Sequence, residues 1–220
     1  MGADRFKFER ALLRNGTTRV AGVDEAGRGP LAGPVVAAAT LFPSEWIRDG
    51  LPRKLRGLND SKQLTPEERD RYFAVLTNHP EVRYAVAAVE VAVIDAINIL
   101  QASLRAMNDA LAQLQPMPEH TLVDGLHVTT LRFAQTALVD GDARSYSIAA
   151  ASVIAKVTRD GMMLEYHRQF PVYGFAEHKG YGTPRHLAAL AEHGPCPLHR
   201  RSFSPIKMEA LELFDFQDGL

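Results

Sequence analysis

The stretch VAGVDEAGRGP, residues 20–30, places two adjacent acids, Asp24 and Glu25, directly after an apolar run. Apolar residues followed by several glycines are typical of a short buried strand, and we predict one over residues 18–24. Carboxylates resist burial unless they are paired or bound to a cation. Because successive strand residues face opposite sides, both acids can serve one site only if the strand ends or bends there, which the following glycines permit.

Two further aspartates stand in similar places. Asp124 follows the apolar run at residues 121–123, and Asp142 precedes a long helix-like segment. Carboxylates without cysteine or a closely spaced histidine pair form a hard, oxygen-only ligand set, which favours Mg²⁺ or Mn²⁺ over Zn²⁺. Such clusters with two ions most often serve in-line phosphodiester chemistry. The alternative is that these are ordinary turn aspartates, because Asp-Gly is a common turn pair.

Strand-like and helix-like segments alternate along the rest of the chain. The predicted strands are residues 34–42, 82–91 and 121–123, and the predicted helices are residues 98–114, 145–170, 184–193 and 205–214, with another opening at Thr65-Pro66. A threonine followed by proline and two acids is a typical helix start. The pattern predicts an α/β core with helical C-terminal elements.

The composition is that of an ordinary globular protein. The chain has 220 residues, of which 46% are apolar and 23% charged, with a net charge of −1. A single cysteine, Cys196, excludes a disulfide framework and a cysteine zinc cluster. The longest apolar run, residues 35–42, is far shorter than the ~20 residues that span a bilayer. With no secretory signal at the start of the chain, we expect a cytoplasmic protein without membrane association.

Charge is unevenly distributed along the chain. Residues 80–142 carry 3 basic and 8 acidic side chains, whereas residues 143–207 carry 9 basic and 4 acidic ones. An acidic middle and a basic C-terminal third fit carboxylates that hold cations beside a surface that holds a polyanion. The alternative, which composition alone favours, is that the charges simply lie on solvated faces.

Several sequence blocks, in a fixed order and spacing, carry a family resemblance. They are AGVDEAGRGPL (21–31), LNDSK (58–62), LVDG (122–125), GD (141–142), AAASVIAKVTRD (149–160), YGFAEHKGY (173–181), EHG (192–194) and HRRSF (199–203). The chain resembles the bacterial type 2 ribonucleases H, ribonuclease HII, over nearly all of its length. No single motif carries this resemblance.

The resemblance implies roles for individual residues. The four acids Asp24, Glu25, Asp124 and Asp142 match the catalytic, metal-binding set of the family, which uses Mg²⁺ or Mn²⁺, two ions in the working complex. The loop formed by Gly27, Arg28 and Gly29 matches the family's reader of the ribose 2′-hydroxyl, and Tyr181 matches the tyrosine that packs on the next sugar. Glycine lets backbone approach closely, and only RNA offers that hydroxyl. A tyrosine buried under C-terminal helices is the alternative for Tyr181.

Four other matching residues suit phosphate contacts. Ser152 and Lys156 are four residues apart and therefore share a face of the predicted helix, with Arg159 a further turn along, while Ser61 and Lys62 lie in a polar loop. Phosphate contacts position a duplex without reading its bases. For the lysines, a merely solvated position is the alternative.

Taken with the resemblance, the sequence predicts a ribonuclease H-like α/β fold, with a central mixed sheet of about five strands flanked by helices and a helical C-terminal extension. The expected organisation is a helical lead-in (residues 1–17), a catalytic core (18–170) and C-terminal helical elements that complete the substrate groove (171–220). The implied activity is endonucleolytic hydrolysis of RNA in RNA–DNA hybrids and incision 5′ of single ribonucleotides in duplex DNA, leaving 5′-phosphate and 3′-hydroxyl ends.

Two other functions remain open at this point. One is a different two-metal nuclease or resolvase on a related fold, and the other is a nucleic-acid-binding module that has lost catalysis. The presence of all four acids disfavours the module, and the 27–29 loop with Tyr181 disfavours a resolvase. We expect a monomer. The acidic tail from Glu209 shows no pattern for docking on a sliding clamp.

Some family-related positions stay undecided. Asp140 stands where relatives often have a basic residue, and its charge near the acids could tune their pKa or their metal binding. For Arg200 and Arg201, substrate contact and packing of the C-terminal segment are both open. His193 is left out of the catalytic set.

Overall fold

A computed structural model of the chain describes residues 4–207. Within these residues, five strands form one mixed sheet in the order β3-β2-β1-β4-β5, which confirms the predicted α/β class. The strands are β1 (Val20–Ala26), β2 (Val35–Leu41), β3 (Arg83–Val89), β4 (His120–Asp124) and β5 (Gln135–Leu138).

Strand direction decides which residues meet at the edge of the sheet. β1 pairs antiparallel with β2, and β2 pairs antiparallel with β3. β1, β4 and β5 run parallel to one another, with Val23 opposite Val123. The carboxyl ends of these three parallel strands therefore lie at one edge. Because Asp24 and Asp124 each follow one member of the Val23–Val123 pair, the register brings them side by side.

Helices cover both faces of the sheet. They are α1 (Lys7–Arg14), α2 (Ser44–Asp49), α3 (Pro66–Asn78), α4 (Val91–Gln113), α5 (Gly141–Arg144), α6 (Tyr146–Gln169), α7 (Phe175–His178) and α8 (Pro184–His193), with 3₁₀ turns at Arg53–Leu55 and Pro171–Tyr173. Alternate β2 residues point to opposite sides. Ala37 and Ala39 pack in the core with α4, whereas Ala38 packs in the core with α6 and α3.

The buried first half of α6 lies close to the sheet. Its residues from Ser147 to Ala155 are all buried, and most are alanine or another small side chain. At Gly22 of β1, an added Cβ would lie 2.2 Å from the carbonyl carbon of Ser147. A side chain of any size at Gly22 would push the helix away from the strand, which fixes a glycine at this position. The close approach brings α6 within reach of the last residues of β1.

The predicted helix start at Thr65 is confirmed. The Thr65 hydroxyl accepts a hydrogen bond from the Glu68 backbone N–H at 3.2 Å, and the Glu68 carboxylate accepts one from the Thr65 N–H at 3.0 Å. Pro66 is the first residue of α3. This reciprocal capping satisfies two backbone donors that the helix itself leaves free.

Other predicted boundaries were wrong. β1 does not end at Asp24 but continues through Glu25 to Ala26, since all three residues pair with β2. The helix predicted from residue 98 begins at Val91, and Asn98 marks an internal kink with φ 67°. The predicted helix over residues 205–214 lies largely outside the described residues, as does the acidic tail. Among residues 4–207, no helix is both long and apolar enough to cross a membrane.

Candidate active site

Three carboxylates meet at the edge where the parallel strands end. Asp24 lies near the end of β1, Asp124 is the last residue of β4, and Asp142 is the second residue of α5, shortly after β5. Each offers an oxygen within 4.8 Å of the others, a spacing at which one metal ion could bind all three. We call these three residues the acid cluster.

Backbone N–H groups orient two members of the acid cluster. The Gly141 N–H donates to Asp124 Oδ1 at 2.7 Å, and the Ala143 N–H donates to Asp142 Oδ1 at 2.8 Å. The first bond ties the end of β4 to the start of α5. Each carboxylate keeps its second oxygen for another partner.

Burial and mutual repulsion raise the pKa values of the carboxylates in the acid cluster. Burial raises the pKa of Asp24 well above its usual range, and the charges of Glu25 and Asp124 raise it further, while a hydrogen bond from Ser152 opposes the rise. Burial, with the charges of Asp124 and Asp60, raises the pKa of Asp142 to about 6. Protonation of one carboxylate is favoured here, because two negative charges so close together repel each other. A hard divalent cation would relieve the same repulsion, so the donor set fits Mg²⁺ or Mn²⁺.

Glu25 is not among the three acids whose oxygens lie within 4.8 Å of one another, although burial, and then the charge of Asp124, raises the pKa of its carboxyl group against the opposing effect of Arg28. Because β1 stays regular through Ala26, Asp24 and Glu25 face opposite sides of the strand. Asp24 shares the side of Gly22 and receives a hydrogen bond from α6, whereas the Glu25 carboxylate accepts one from Arg28 at 3.1 Å. A role for Glu25 at the metal therefore stays a prediction.

Asp60 is a neighbour of the acid cluster that was not predicted from the sequence. It lies in the LNDSK block, is nearly buried, and shares a hydrogen bond with Asp142. Partial burial lowers the pKa of Lys62, but the charges of Asp60, Asp142 and the other acids outweigh it, and the net shift is upward. Lys62 thus stands as a cation facing the acids. Its position directly before Ser61 and Lys62, both predicted to contact phosphate, could have indicated a place near the site.

The other predicted phosphate contacts have protein partners. Ser61 and Ser152 are buried and hydrogen bonded to each other, with 2.8 Å between their hydroxyl oxygens. Lys156 donates to Asp160 at 2.8 Å on the same face of α6. Each of these contacts would have to be shared or broken for the residue to bind phosphate.

The 27–29 loop packs against two buried arginines, Arg159 and Arg200. Gly27 has φ +96°, and an added Cβ there would lie 2.0 Å from the Arg159 side chain, so only glycine fits. Arg200 is fully buried and donates to the carbonyl oxygens of Gly27 at 2.6 Å, Arg28 at 2.9 Å and Gly33 at 3.0 Å. Burial, and then the charge of Arg159, lowers the pKa of Arg200 to about 9. Of the two possibilities for Arg200, the structure favours packing.

Arg159 was predicted on the phosphate-binding face of the helix, but it is instead a second buried guanidinium bound to backbone. It is 1% exposed and donates to the carbonyl oxygens of Pro34 at 2.9 Å, Ala32 at 3.0 Å and Lys179 at 3.0 Å. Among residues 4–207, neither Arg159 nor Arg200 forms an ion pair. We call these two residues the arginine bracket, because together they join the 27–29 loop to the segment that leads to Tyr181.

Tyr181 lies beside the 27–29 loop and is exposed. An added Cβ at Gly29 would lie 3.7 Å from Cε1 of Tyr181, which shows how close the ring is to the loop. The tyrosine is 46% exposed, so the buried alternative is wrong. Its carbonyl oxygen lies 2.9 Å from Nδ1 of His186, a buried residue of α8.

The remaining undecided positions are Arg201, His193 and Asp140. The backbone N–H of Arg201 donates to Asp95 of α4 at 2.9 Å, and its side chain is exposed. His193 contacts the Tyr173 ring and lies near Glu192. Asp140 is exposed and has left-handed backbone with φ 53° just before α5.

Known proteins match this chain over almost all of its described residues. A family model described as Ribonuclease HII matches residues 21–206. The chain belongs to the ribonuclease HII family. The ribonuclease HII of Geobacter metallireducens is 51% identical over 200 residues, which cover 91% of this chain and 90% of the relative.

Solved structures agree with this membership of the ribonuclease HII family. The ribonuclease H2 of Pyrococcus horikoshii superposes with a TM-score of 0.74 at 30% identity and covers 89% of this chain and 99% of that one. The ribonuclease HII of Archaeoglobus fulgidus, in a structure with PCNA, has a TM-score of 0.68 at 26% identity, covering 84% and 95%. As a member of this family, the chain is a metal-dependent endoribonuclease.

Proposed function

We propose that the chain hydrolyses the RNA strand of RNA–DNA hybrids and incises 5′ of single ribonucleotides embedded in duplex DNA, leaving 5′-phosphate and 3′-hydroxyl ends. Family membership supports the ribonuclease H activity. The observation that carries the finer proposal is the closeness of an exposed tyrosine to a glycine loop, beside three clustered carboxylates. Chemistry and sugar recognition would thus occur at neighbouring points of one surface.

Asp24, Asp124 and Asp142 would hold Mg²⁺ or Mn²⁺, with Glu25 as a fourth acid of the set. Two bound ions would supply activation of the attacking water and stabilisation of the leaving oxygen. The chain itself holds the carboxylates in place through backbone hydrogen bonds to Asp124 and Asp142. Lys62 faces the same acids and would stabilise a phosphate placed between them.

Recognition of the sugar would be divided between two neighbouring groups. Gly27, Arg28 and Gly29 would meet the 2′-hydroxyl with backbone groups, because glycine permits close approach. Tyr181 would pack on the sugar of the following nucleotide, where a deoxyribose leaves most room. Ser61, Lys62, Ser152 and Lys156 would contact backbone phosphates and hold the duplex without reading sequence.

The activity is tested with a duplex that carries one ribonucleotide. We expect incision at its 5′ side in Mg²⁺ or Mn²⁺ and none in EDTA, with an all-DNA duplex as the control. Analysis of the product ends distinguishes 5′-phosphate from 5′-hydroxyl. Cleavage of a uniform hybrid but not of the single-ribonucleotide duplex would remove the incision part of the proposal.

The role of Tyr181 is tested by two substitutions. Tyr181→Ala should lose most incision at a single ribonucleotide, while Tyr181→Phe retains much of it, because the ring face makes the contact. Melting temperature and Mn²⁺ affinity should stay near those of the unmodified chain, since the residue is half exposed. Tyr84, 42% exposed on β3 away from the acids, supplies the matched control as Tyr84→Ala. Equal effects of the two alanine variants would contradict a recognition role.

The proposal includes no protein partner. The acidic tail shows no clamp-binding pattern, and it lies outside the described residues. The chain is proposed to work as a monomer in the cytoplasm on nucleic acid alone.

A further inference from the structure

The segment that precedes the family match packs directly against the acid cluster. The match begins at residue 21, whereas Arg5 already contacts two loops of the site. One terminal nitrogen of its guanidinium donates to the carbonyl oxygen of Leu58, and the other donates to that of Asp142. Both are charge-assisted hydrogen bonds between distant parts of the sequence.

These two carbonyl groups belong to the loop that begins at Leu58 and to α5, both of which border the acid cluster. Leu58 opens the block that contains Asp60 and Lys62, and Asp142 is itself a member of the acid cluster. The guanidinium is a rigid planar fork, so donors on its two nitrogens fix the separation of the groups they bind. Arg5 therefore sets the distance between the Leu58 loop and the backbone of Asp142.

Arg5 is in turn held by the start of α6. Its guanidinium carbon lies 4.8 Å from the centre of the Tyr146 ring, and its own carbonyl oxygen accepts from the Tyr146 N–H at 3.1 Å. The Phe6 ring packs edge-on against Tyr146, with 4.9 Å between ring centres. The side chain thus has little freedom to leave the two carbonyl groups.

Glu9 fastens the same segment one turn later. It is buried, and its Oε1 accepts from the Ser145 hydroxyl at 2.6 Å and from the Ser147 N–H at 3.3 Å. Ser145 is the residue that caps α6 and directly follows α5. Contacts from Arg5 and Glu9 therefore hold the α5–α6 junction from Asp142 to Ser147.

We propose that Arg5 is a positioning residue of the metal centre, which holds Asp142 at the separation that the ions require. Asp24 and Asp124 need no such support, because their strands are paired within the sheet. Asp142 instead reaches the acid cluster from a four-residue helix, against the repulsion of the other carboxylates. The inference rests on the proposed function, since it assigns Asp142 to the metal.

The test compares Arg5→Ala and Arg5→Lys with Arg10→Ala. Arg10 is a matched control, because it also binds a carbonyl, that of Ile47, and pairs with Asp4, but does not contact the site. Mn²⁺ binding is measured by calorimetry without nucleic acid, and the Mn²⁺ dependence of cleavage is measured separately. Residues that orient metal ligands typically contribute 10–100-fold to affinity. We expect Arg5→Ala to weaken Mn²⁺ binding by about tenfold or more, and Arg5→Lys by less.

Melting curves establish that each variant is folded at the temperature of measurement. Mn²⁺ affinity in Arg5→Ala equal to that in Arg10→Ala would overturn the proposal. If Arg5→Ala does not fold, Arg5→Lys decides in the same way, because lysine keeps the charge but cannot span both carbonyl groups. The two proposals fail separately: a chain that binds Mn²⁺ but does not cleave the single-ribonucleotide duplex contradicts the proposed function, while the metal affinities still report on Arg5.

Discussion

The acid cluster and the arginine bracket lie a short distance apart and treat buried charge in opposite ways. The acid cluster gathers three like charges within 4.8 Å of one another. The arginine bracket buries two cations but binds them to six backbone carbonyl groups, with none of its residues in an ion pair among residues 4–207. The carboxylates of the acid cluster repel one another and favour the binding of a cation. The guanidinium groups of the arginine bracket are stabilised by hydrogen bonds within the protein.

The difference teaches what each region is for. A cluster of repelling carboxylates lowers the stability of the fold, and is best explained by a cation that it binds. Buried guanidinium groups saturated with hydrogen bonds instead fix the backbone that they contact. The bracket therefore acts on shape: it holds the 27–29 loop and the segment before Tyr181 at one relative position. Substitutions in the acid cluster should therefore reduce activity and leave the fold stable, whereas substitutions in the arginine bracket should reduce stability.

The largest effect is expected from Asp124→Asn. Loss of an anionic ligand removes several kcal/mol of stabilisation that the ions give to the transition state, which corresponds to a loss of about 10³-fold or more in kcat. The Asn oxygen can still accept the Gly141 N–H, so the fold should persist. Without metal, the melting temperature should equal or slightly exceed that of the unmodified chain, because one repelling charge is gone.

Asp140→Asn is the matched control for Asp124→Asn. Asp140 is exposed close to the acid cluster, and asparagine tolerates its left-handed backbone. Cleavage in saturating Mg²⁺ should remain near normal in this variant. Near-normal cleavage by Asp124→Asn itself would mean that the metal site is misassigned.

The second largest effect is expected from Arg200→Ala, and it concerns stability. The substitution leaves the buried carbonyl groups of Gly27 and Gly33 without this donor, at a cost of about 1–3 kcal/mol for each unsatisfied group. A total near 3 kcal/mol would lower the melting temperature by roughly 10 °C. The control is Arg201→Ala, whose side chain is exposed and which should melt normally. A normal melting temperature for Arg200→Ala would contradict a structural role for the bracket.

The sequence predicted much of the acid cluster because strand ends are visible in it. Asp124 follows a short apolar run, and parallel strands present their carboxyl ends together, so the meeting of Asp24 and Asp124 needed only the correct pairing. β5 was not placed, because Gln135–Leu138 is only partly buried and shows no strong alternation. The helix start at Val91 was missed because Val, Ala and Ile fit a strand equally well.

The arginine bracket could not be read from the sequence. Arg159 and Arg200 were two of nine cations in a basic third of the chain, and basic side chains usually lie on the surface. Their partners are backbone carbonyl groups, which every residue carries and which no pattern marks. Two of the cations that suggested a polyanion surface are therefore part of the interior. Arg5 was missed for the same reason, since both of its acceptors are carbonyl groups.

A third prediction concerns pH and the histidines that support the Tyr181 segment. The Cys196 N–H donates to Nδ1 of His199, Nε2 of His199 lies 3.0 Å from Nε2 of His186, and His186 binds the Tyr181 carbonyl. This chain of bonds requires both rings to be neutral. Burial, with the charges of His186 and His178, lowers the pKa of His199 to about 4.

The unfolded chain therefore takes up a proton near pH 6.5 that the folded chain refuses until about pH 4. Stability should fall as pH decreases through this window, by roughly 3 kcal/mol in total, and should be unaffected above it. The raised pKa values of Asp24 and Asp142 act in the opposite direction in metal-free protein. The contribution of His199 is therefore obtained by subtracting the pH dependence of the unfolding free energy of His199→Gln from that of the unmodified chain. His199→Gln should flatten the decline, whereas His127→Gln, at an exposed site, should not. An unchanged slope in His199→Gln would contradict a buried neutral His199.

The smallest effect is expected from Lys156→Ala and tests whether the basic third still meets phosphate. Each phosphate that a lysine neutralises releases counterions, so its removal should reduce the slope of log affinity against log salt by up to about one. Binding should weaken alike for hybrid and all-DNA duplexes, because phosphate contacts carry no sequence or sugar information. Fluorescence anisotropy in the Asp124→Asn background measures binding without cleavage.

Asp160→Asn is the informative partner variant, because Asp160 binds Lys156 at 2.8 Å and competes with phosphate for it. If Lys156 contacts the duplex, freeing it from Asp160 should strengthen binding and steepen the salt dependence, the reverse of Lys156→Ala. If this partly buried ion pair makes no contact with the duplex, both variants should bind nucleic acid as the parent does. Opposite shifts in the two variants are therefore the result that assigns Lys156 to phosphate, and unchanged slopes in both return it to a solvated position.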